Sequence, residues 1–100
     1  MGTENLTGRQ KRYLRGLGNT VKSTVYVGKN GISAEVLSSI EEAFQTNELI
    51  KIRLQEGYLE DRRQAGVELA EKSNTHLVQV LGRTVLLYRE DPEEPVIQLP

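Results

Sequence analysis

Four residues between a β-rich run and a capped helix, Gly28-Lys29-Asn30-Gly31, have the types and spacing to hold a phosphate. Glycines let a ligand approach the backbone with no Cβ in the way. A helix starting just beyond would point free amides and its positive end at an anion. Lys29 adds a cation, and Asn30 can hydrogen-bond to a sugar or a phosphate. Taken alone the loop says little, because two glycines between a strand and a helix usually just make the turn.

The surrounding charge strengthens it. Residues 1–31 hold Arg9, Lys11, Arg12, Arg15, Lys22 and Lys29 against Glu4 alone, a net +5, while the other 69 residues carry −6, so the overall −1 hides a polarised molecule. Local charge is what a polyanion meets, since screening removes fields beyond ~8 Å at physiological salt. At about 100° per residue, Lys11, Arg15, Arg12 and Arg9 fall on one arc of a first helix, and Gln10, Tyr13, Leu14 and Leu17 on the other. One arc is expected to pack and the other to present cations. A GxxG loop that clamps backbone nucleotides is an established mode of RNA recognition. Loop, helix cations and Lys22 together make a nucleic-acid surface the expected site. Lys51 and Arg53, alternating with Ile50, Ile52 and Leu54, and Arg83 at a hairpin tip, are candidates to extend it or merely to solubilise the domain.

Other chemistries lack their residues. With no cysteine and one histidine, neither a disulfide framework nor a thiolate or histidine-rich zinc site can form, and no metal or cofactor is expected. His76 has no nucleophile system near it in sequence, and a structural or solvated role is expected. The adjacent acids Glu41-Glu42, Glu60-Asp61 and Glu93-Glu94 point in different directions on a helix or tail instead of converging as a catalytic pair. The loop does not fit G-x-x-x-x-G-K-[ST], which argues against a nucleotide-hydrolysing enzyme. Catalysis is therefore not expected. No apolar run approaches the ~18 residues of a membrane span, and the N-terminus lacks a signal-like apolar stretch, so a cytoplasmic protein is expected. Five aromatics in all are too few for a base-stacking sheet, and Tyr26, Tyr58 and Tyr88 are expected to pack in the core or at its edge.

The elements that must position these residues follow from periodicity. Thr7 and Gln10 match a capping box opening a helix over 8–17, which Gly16, Gly18 and Asn19 can stop through a left-handed residue. Thr24 to Val27 reads as a strand. Ser33 is an N-cap, Ile32 and Leu37 sit at staple positions, and Val36, Leu37, Ile40, Ala43 and Phe44 keep helical spacing. Leu49 to Leu54 alternates as a half-buried strand. A third helix over 60–73 follows Gly57, with Gly66 lowering its intrinsic stability. Leu77 to Leu81 and Thr84 to Arg89 form a hairpin around Gly82-Arg83. The expectation is an α/β (α+β-like) domain, helix-strand-helix-strand-helix-strand-strand, with a four-stranded mixed sheet. A flexible segment 1–5 precedes the domain at 6–90. An acidic, proline-containing tail at 91–100 follows it, with 91–95 a loose linker and Val96, Ile97 and Leu99 able to dock back.

A spaced set of blocks makes the reading specific: Leu6-Thr7, Gln10-Lys11, Leu14, Leu17; Val27-Gly28-Lys29-Asn30-Gly31; Glu48-Leu49-Ile50-Lys51-Ile52; Val78-Gln79-Val80-Leu81-Gly82-Arg83-Thr84; and Leu87-Tyr88-Arg89. In these the chain resembles the YhbY-type, CRM (chloroplast RNA splicing and ribosome maturation) domain family. The resemblance implies an architecture similar to the C-terminal domain of the third bacterial translation initiation factor, with RNA bound through the glycine loop and the basic surface beside it. Stand-alone members associate with precursors of the large ribosomal subunit, and multi-domain plant members act in intron splicing. For a lone domain, the resemblance implies ribosomal RNA of the large-subunit precursor as partner; ribosomal proteins as further partners and a monomeric state are also expected. The competing expectation is a protein-interaction module that docks a ribosomal protein through acidic second and third helices.

Overall fold

Alternation along the strands divides the molecule into two cores. The computed structural model describes residues 5–100. Its elements are α1 (Gly8–Gly18), β1 (Ser23–Val27), α2 (Ala34–Ala43), β2 (Leu49–Leu54), α3 (Arg62–Ser73), β3 (His76–Leu81) and β4 (Thr84–Tyr88), in the expected order. Of the expected loose segment, residues 1–4 lie outside the described residues, and Asn5 is exposed. The strands form one mixed sheet in the order β1-β2-β4-β3. β1 runs parallel to β2, with Val25 opposite Ile52 and Val27 opposite Leu54. The β2/β4 and β3/β4 pairs are antiparallel.

Val25, Val27, Ile50, Ile52, Leu54, Val85 and Leu87 turn to one face, where Ile40 and Phe44 of the α2 region and Ala65 and Leu69 of α3 cover them. Leu49, Leu86, Tyr88 and Val78 turn to the other, where Leu14 of α1 packs with Leu6, Val21, Ile97 and Leu99. The split follows from the period of two, because neighbours on a strand must face opposite sides. Full burial of a side chain such as Leu14 is worth roughly 1.5–3 kcal/mol. Only Leu14 of the expected packing arc on α1 is fully buried, however. Tyr13 is 43% and Leu17 36% exposed, since a single helix cannot cover the whole sheet face.

Local chemistry explains the helix ends. The Thr7 hydroxyl accepts from the Gln10 amide at 3.1 Å, and the Gln10 side chain accepts from the Thr7 amide at 3.0 Å, which completes the capping box. Ser33 Oγ accepts from the Val36 amide at 3.2 Å. Asp61 caps α3 by accepting from the Arg63 amide at 3.2 Å, so the helix begins at Arg62 and not at Glu60. That shift removes two acids from the helix, leaving Arg62, Arg63 and Lys72 against Glu68 and Glu71, so α3 is not acidic. α1 also ends differently from the expectation. Asn19 is right-handed, with φ −60°, and Gly18 stays helical. Gly18 serves close packing instead, as a Cβ there would lie 2.6 Å from Leu86 Cδ2. Gly66 does the same for α3, where a Cβ would lie 2.7 Å from Val80 Cγ2. Its cost in helix propensity is offset by the close approach of helix and sheet.

The segment 91–95 is not a loose linker. The carboxylate of Glu48, itself only 7% exposed, accepts from the Asp91, Val96 and Ile97 amides at 2.8, 3.0 and 2.7 Å. Asp91 in turn accepts from the Glu93 and Glu94 amides at 2.9 and 3.0 Å, and these bonds hold its carboxyl below the usual range. Gln10 Nε2 donates to Pro100 O at 3.3 Å, which returns the chain end to α1. Ile97 and Leu99 dock as expected, while Val96 remains 80% exposed.

Tyr58 and Tyr88 are buried. Burial pushes the Tyr88 phenol up to about 12, with Glu48 and then Glu90 adding to the shift. Tyr58 is raised by burial and then by Glu68, Glu60 and Asp61. A phenol raised in the folded state contributes stability that is complete below the ordinary value of 10.0 and is lost as pH climbs through the folded value. Urea-unfolding midpoints are therefore expected to hold up to about pH 10 and fall between there and about 12, alongside the tyrosinate absorbance of the last phenols to ionise. A midpoint that falls well below pH 10, or one that holds unchanged up to about 12, would contradict this assignment.

Candidate nucleic-acid interface

The glycine loop sits where β1 leaves the edge of the sheet. The Gly31 amide donates to Gly28 O at 3.0 Å, closing a tight turn, and Gly31 takes φ +72°, a left-handed value that L side chains rarely adopt. The β2–α3 connection supports the turn from below: the Gln55 amide donates to Val27 O at 2.8 Å, and Gly57 lies against Lys29. Lys29 and Asn30 are held outward and exposed. Gly28, Lys29, Asn30 and Gly31 thus form one structural unit, and they line an open cleft of about 420 Å³ shared with Tyr26, Ser33, Glu35, Ser39 and Gln55.

Two details modify the expected anion site. Ser33 takes up the Val36 amide, and Glu35 stands in the first turn of α2, where its negative charge opposes the positive helix end. Attraction for a phosphate therefore rests on Lys29 and the turn more than on the helix end.

The other expected residues are spread over the molecule. Arg9 and Arg12 are exposed, and Lys11 and Arg15 half-buried, on α1, which lies over β2, β3 and β4 on the face opposite α2. Lys22 precedes β1 and Lys29 comes after it and Gly28, so the five-residue strand, about 16 Å long, lies between them. Lys51 and Arg53 alternate with the buried Ile50, Ile52 and Leu54, which places them on the α1 face of β2. Arg53 stands beside Tyr26 across the β1/β2 ladder. α1, Lys51 and Arg53 thus share one face of the sheet, and the glycine turn lies at the end of its edge strand. Only two ion pairs occur among the described residues, Lys72–Glu68 and Arg89–Glu41, and neither takes any of these cations.

Arg83 is placed differently. Its Nε donates to Leu54 O at 3.0 Å, and Nη2 donates to Gln55 O at 2.6 Å and Tyr58 O at 3.2 Å. The guanidinium clamps the loop that supports the glycine turn, and its effect on the cleft is indirect. Arg89 is similarly engaged, donating to Ser73 O and Glu41 while lying 4.8 Å over the Phe44 ring. His76 stacks on Tyr88 with ring centroids 6.2 Å apart.

Tyr26 was expected in or at the edge of the core. It is 50% exposed and lines the cleft, its hydroxyl donating to Ser23 O at 3.1 Å. Strand alternation carries the signal: with Val25 and Val27 facing the core, Tyr26 must face away. Glu35, Ser39 and Gln55 had no local pattern to mark them, because their place in the cleft depends on how α2 and the β2–α3 loop meet the turn.

A three-helix domain on a mixed four-stranded sheet, with a glycine turn at the end of its edge strand, defines the class. The chain belongs to the CRS1/YhbY (CRM) domain family, whose model matches residues 6–89. It is 37% identical over 95 residues to a Bacillus subtilis protein named probable RNA-binding protein YqeI, covering 95% of this chain and 99% of that one. It is 34% identical over 95 residues to a protein of Haemophilus influenzae named RNA-binding protein, with 95% of each chain covered. The solution structure of a hypothetical protein from Staphylococcus aureus superposes with a TM-score of 0.82 at 36% identity, covering 95% and 99% of the two chains. Among the described residues no helix is long and apolar enough to cross a membrane.

Proposed function

We propose that this protein binds RNA through the phosphate backbone, with the turn Gly28–Gly31 as the central contact and the cations of α1, Lys22, Lys51 and Arg53 as the flanking surface. Membership of the CRM family and the RNA-binding names of its relatives support the RNA role. The observation that carries the site is the open cleft built on the glycine turn, with Lys29 at its rim. Ribosomal RNA of the large-subunit precursor, in the cytoplasm, is the partner proposed. The RNA-binding names of these relatives support a binding role in place of an enzymatic one. Docking of a ribosomal protein through acidic helices is less favoured, because α3 is not acidic and Glu41 of α2 is paired with Arg89.

The test is binding of large-subunit rRNA fragments across a salt series. Backbone contacts release counterions, so affinity should fall log-linearly with salt. Arg12→Ala with Arg15→Ala is expected to weaken all fragments alike and to flatten the salt slope by about one to two. Both residues lie on the α1 surface away from Leu14, so the fold should persist. A loss confined to one RNA sequence, with an unchanged slope, would count against phosphate contact by α1.

A further inference from the structure

The cleft beside the glycine turn is chemically divided. At the turn, Lys29 offers positive charge. At the α2 end stand Glu35, a carboxylate, and the Ser39 hydroxyl. A phosphate chain running the length of the cleft would meet Glu35 and be repelled, whereas Glu35 and Ser39 can both accept hydrogen bonds from the amino groups of a base. Tyr26 lines the same cleft from the edge strand. Half its area is open, and its hydroxyl bond to Ser23 O lays the ring back along an edge strand that no further strand covers. An exposed ring held in place offers a face for stacking at little entropic cost. The volume of about 420 Å³ falls within the roughly 300–1,000 Å³ of sites that hold small organic ligands.

We propose that this cleft receives a single unpaired nucleotide of the bound RNA, its phosphate on the turn Gly28–Gly31, its base stacked on Tyr26 and the base's amino-bearing edge toward Glu35 and Ser39. The proposal rests on the RNA-binding reading and adds selectivity to it. A fully paired helix keeps its bases stacked inside and reaches the cleft with phosphates alone. A bulged or looped nucleotide can enter. The protein therefore distinguishes RNA with an unpaired base from perfect duplex, whatever the sequence of the paired parts.

The experiment uses two RNA hairpins identical except for one bulged 2-aminopurine nucleotide, titrated with the full chain. The bulged hairpin is expected to bind several-fold tighter than the paired one, with quenching of the 2-aminopurine as it stacks. Tyr26→Ala is expected to weaken the bulged hairpin by roughly tenfold and leave the paired one unchanged, since base–aromatic stacking is sequence-tolerant and of that size. Tyr26→Phe should keep both the preference and the quenching. Equal affinity of the wild-type protein for the two hairpins, or a Tyr26→Ala variant that retains the preference, overturns the proposal while leaving the RNA-binding reading in place. If neither hairpin binds, the RNA-binding reading falls and this proposal with it.

Discussion

Gly31→Asp is expected to leave a folded domain whose affinity for RNA is lower by roughly a hundredfold, because a like charge some 5 Å from a phosphate is worth about 3 kcal/mol at an effective dielectric near 20. The fold should survive for two reasons. A Cβ at Gly31 meets nothing within 4 Å, and Asp is among the few side chains that visit the left-handed region, at a cost of about 1–2 kcal/mol. Gly31→Asn separates charge from backbone effects, since it imposes the same φ without the carboxylate. The expected order in a fluorescence-anisotropy titration is wild type, then Asn slightly weaker, then Asp far weaker. Equal losses for the two variants would assign the effect to turn geometry. No loss in either, with both folded by circular dichroism, would remove the loop from the interface.

The second large effect is on stability. Glu48→Ala is expected to lower the unfolding free energy by about 3 kcal/mol or more, since three charge-assisted bonds of roughly 1.5–3 kcal/mol each are lost together and do not add fully. The three amides that Glu48 accepts from belong to Asp91, Val96 and Ile97, so its loss should also release Ile97 and Leu99 from the Leu14 cluster. Glu48→Gln keeps one acceptor oxygen and should cost less. Urea unfolding reads the energy, and hydrogen exchange at the Val96 and Ile97 amides reads the release. An unchanged midpoint with those amides still protected would show that the C-terminal segment is held by other contacts.

These two residues mark what was legible in the sequence and what was not. Gly31 stood out because a strand, a G-x-x-G turn and a capped helix are all local patterns, each set by residues within a few positions. The same locality made the Thr7–Gln10 box, the Ser33 cap and the alternation of β2 readable. Glu48 had no such signal, because its partners lie 43 to 49 positions away and an acid just before a strand ordinarily faces water. Its effect was to turn an apparent linker, rich in acids and proline, into an anchored segment. Arg83 belongs to the same class: at a hairpin tip it reads as an exposed cation, yet the tip reaches the β2–α3 loop and its guanidinium finds three carbonyls there. Tyr26 differs for another reason: the period of two turns it away from the core that Val25 and Val27 face, and β1 as an edge strand leaves that side open.

The arrangement also separates two jobs on one small sheet. α2 and α3 bury one face and set the turn, while α1 and the C-terminal segment cover only part of the other. The uncovered strip keeps Tyr26 and Arg53 side by side, next to the cleft. Removing cations from α1 should therefore change affinity and salt dependence. Changing the turn or Tyr26 should alter what is held in the cleft.

The central claim is that RNA sits on the glycine turn and the basic surface leading to it. The most direct test is an NMR titration of isotopically labelled protein with fragments of large-subunit ribosomal RNA, repeated at rising salt. The expected result is amide shifts concentrated at Gly28 to Gly31 and along Arg9 to Arg15, fading together as salt increases. Shifts confined to the Glu41–Glu42 side of α2 and the acidic 90–94 segment, or none at all with the protein folded, would contradict the account.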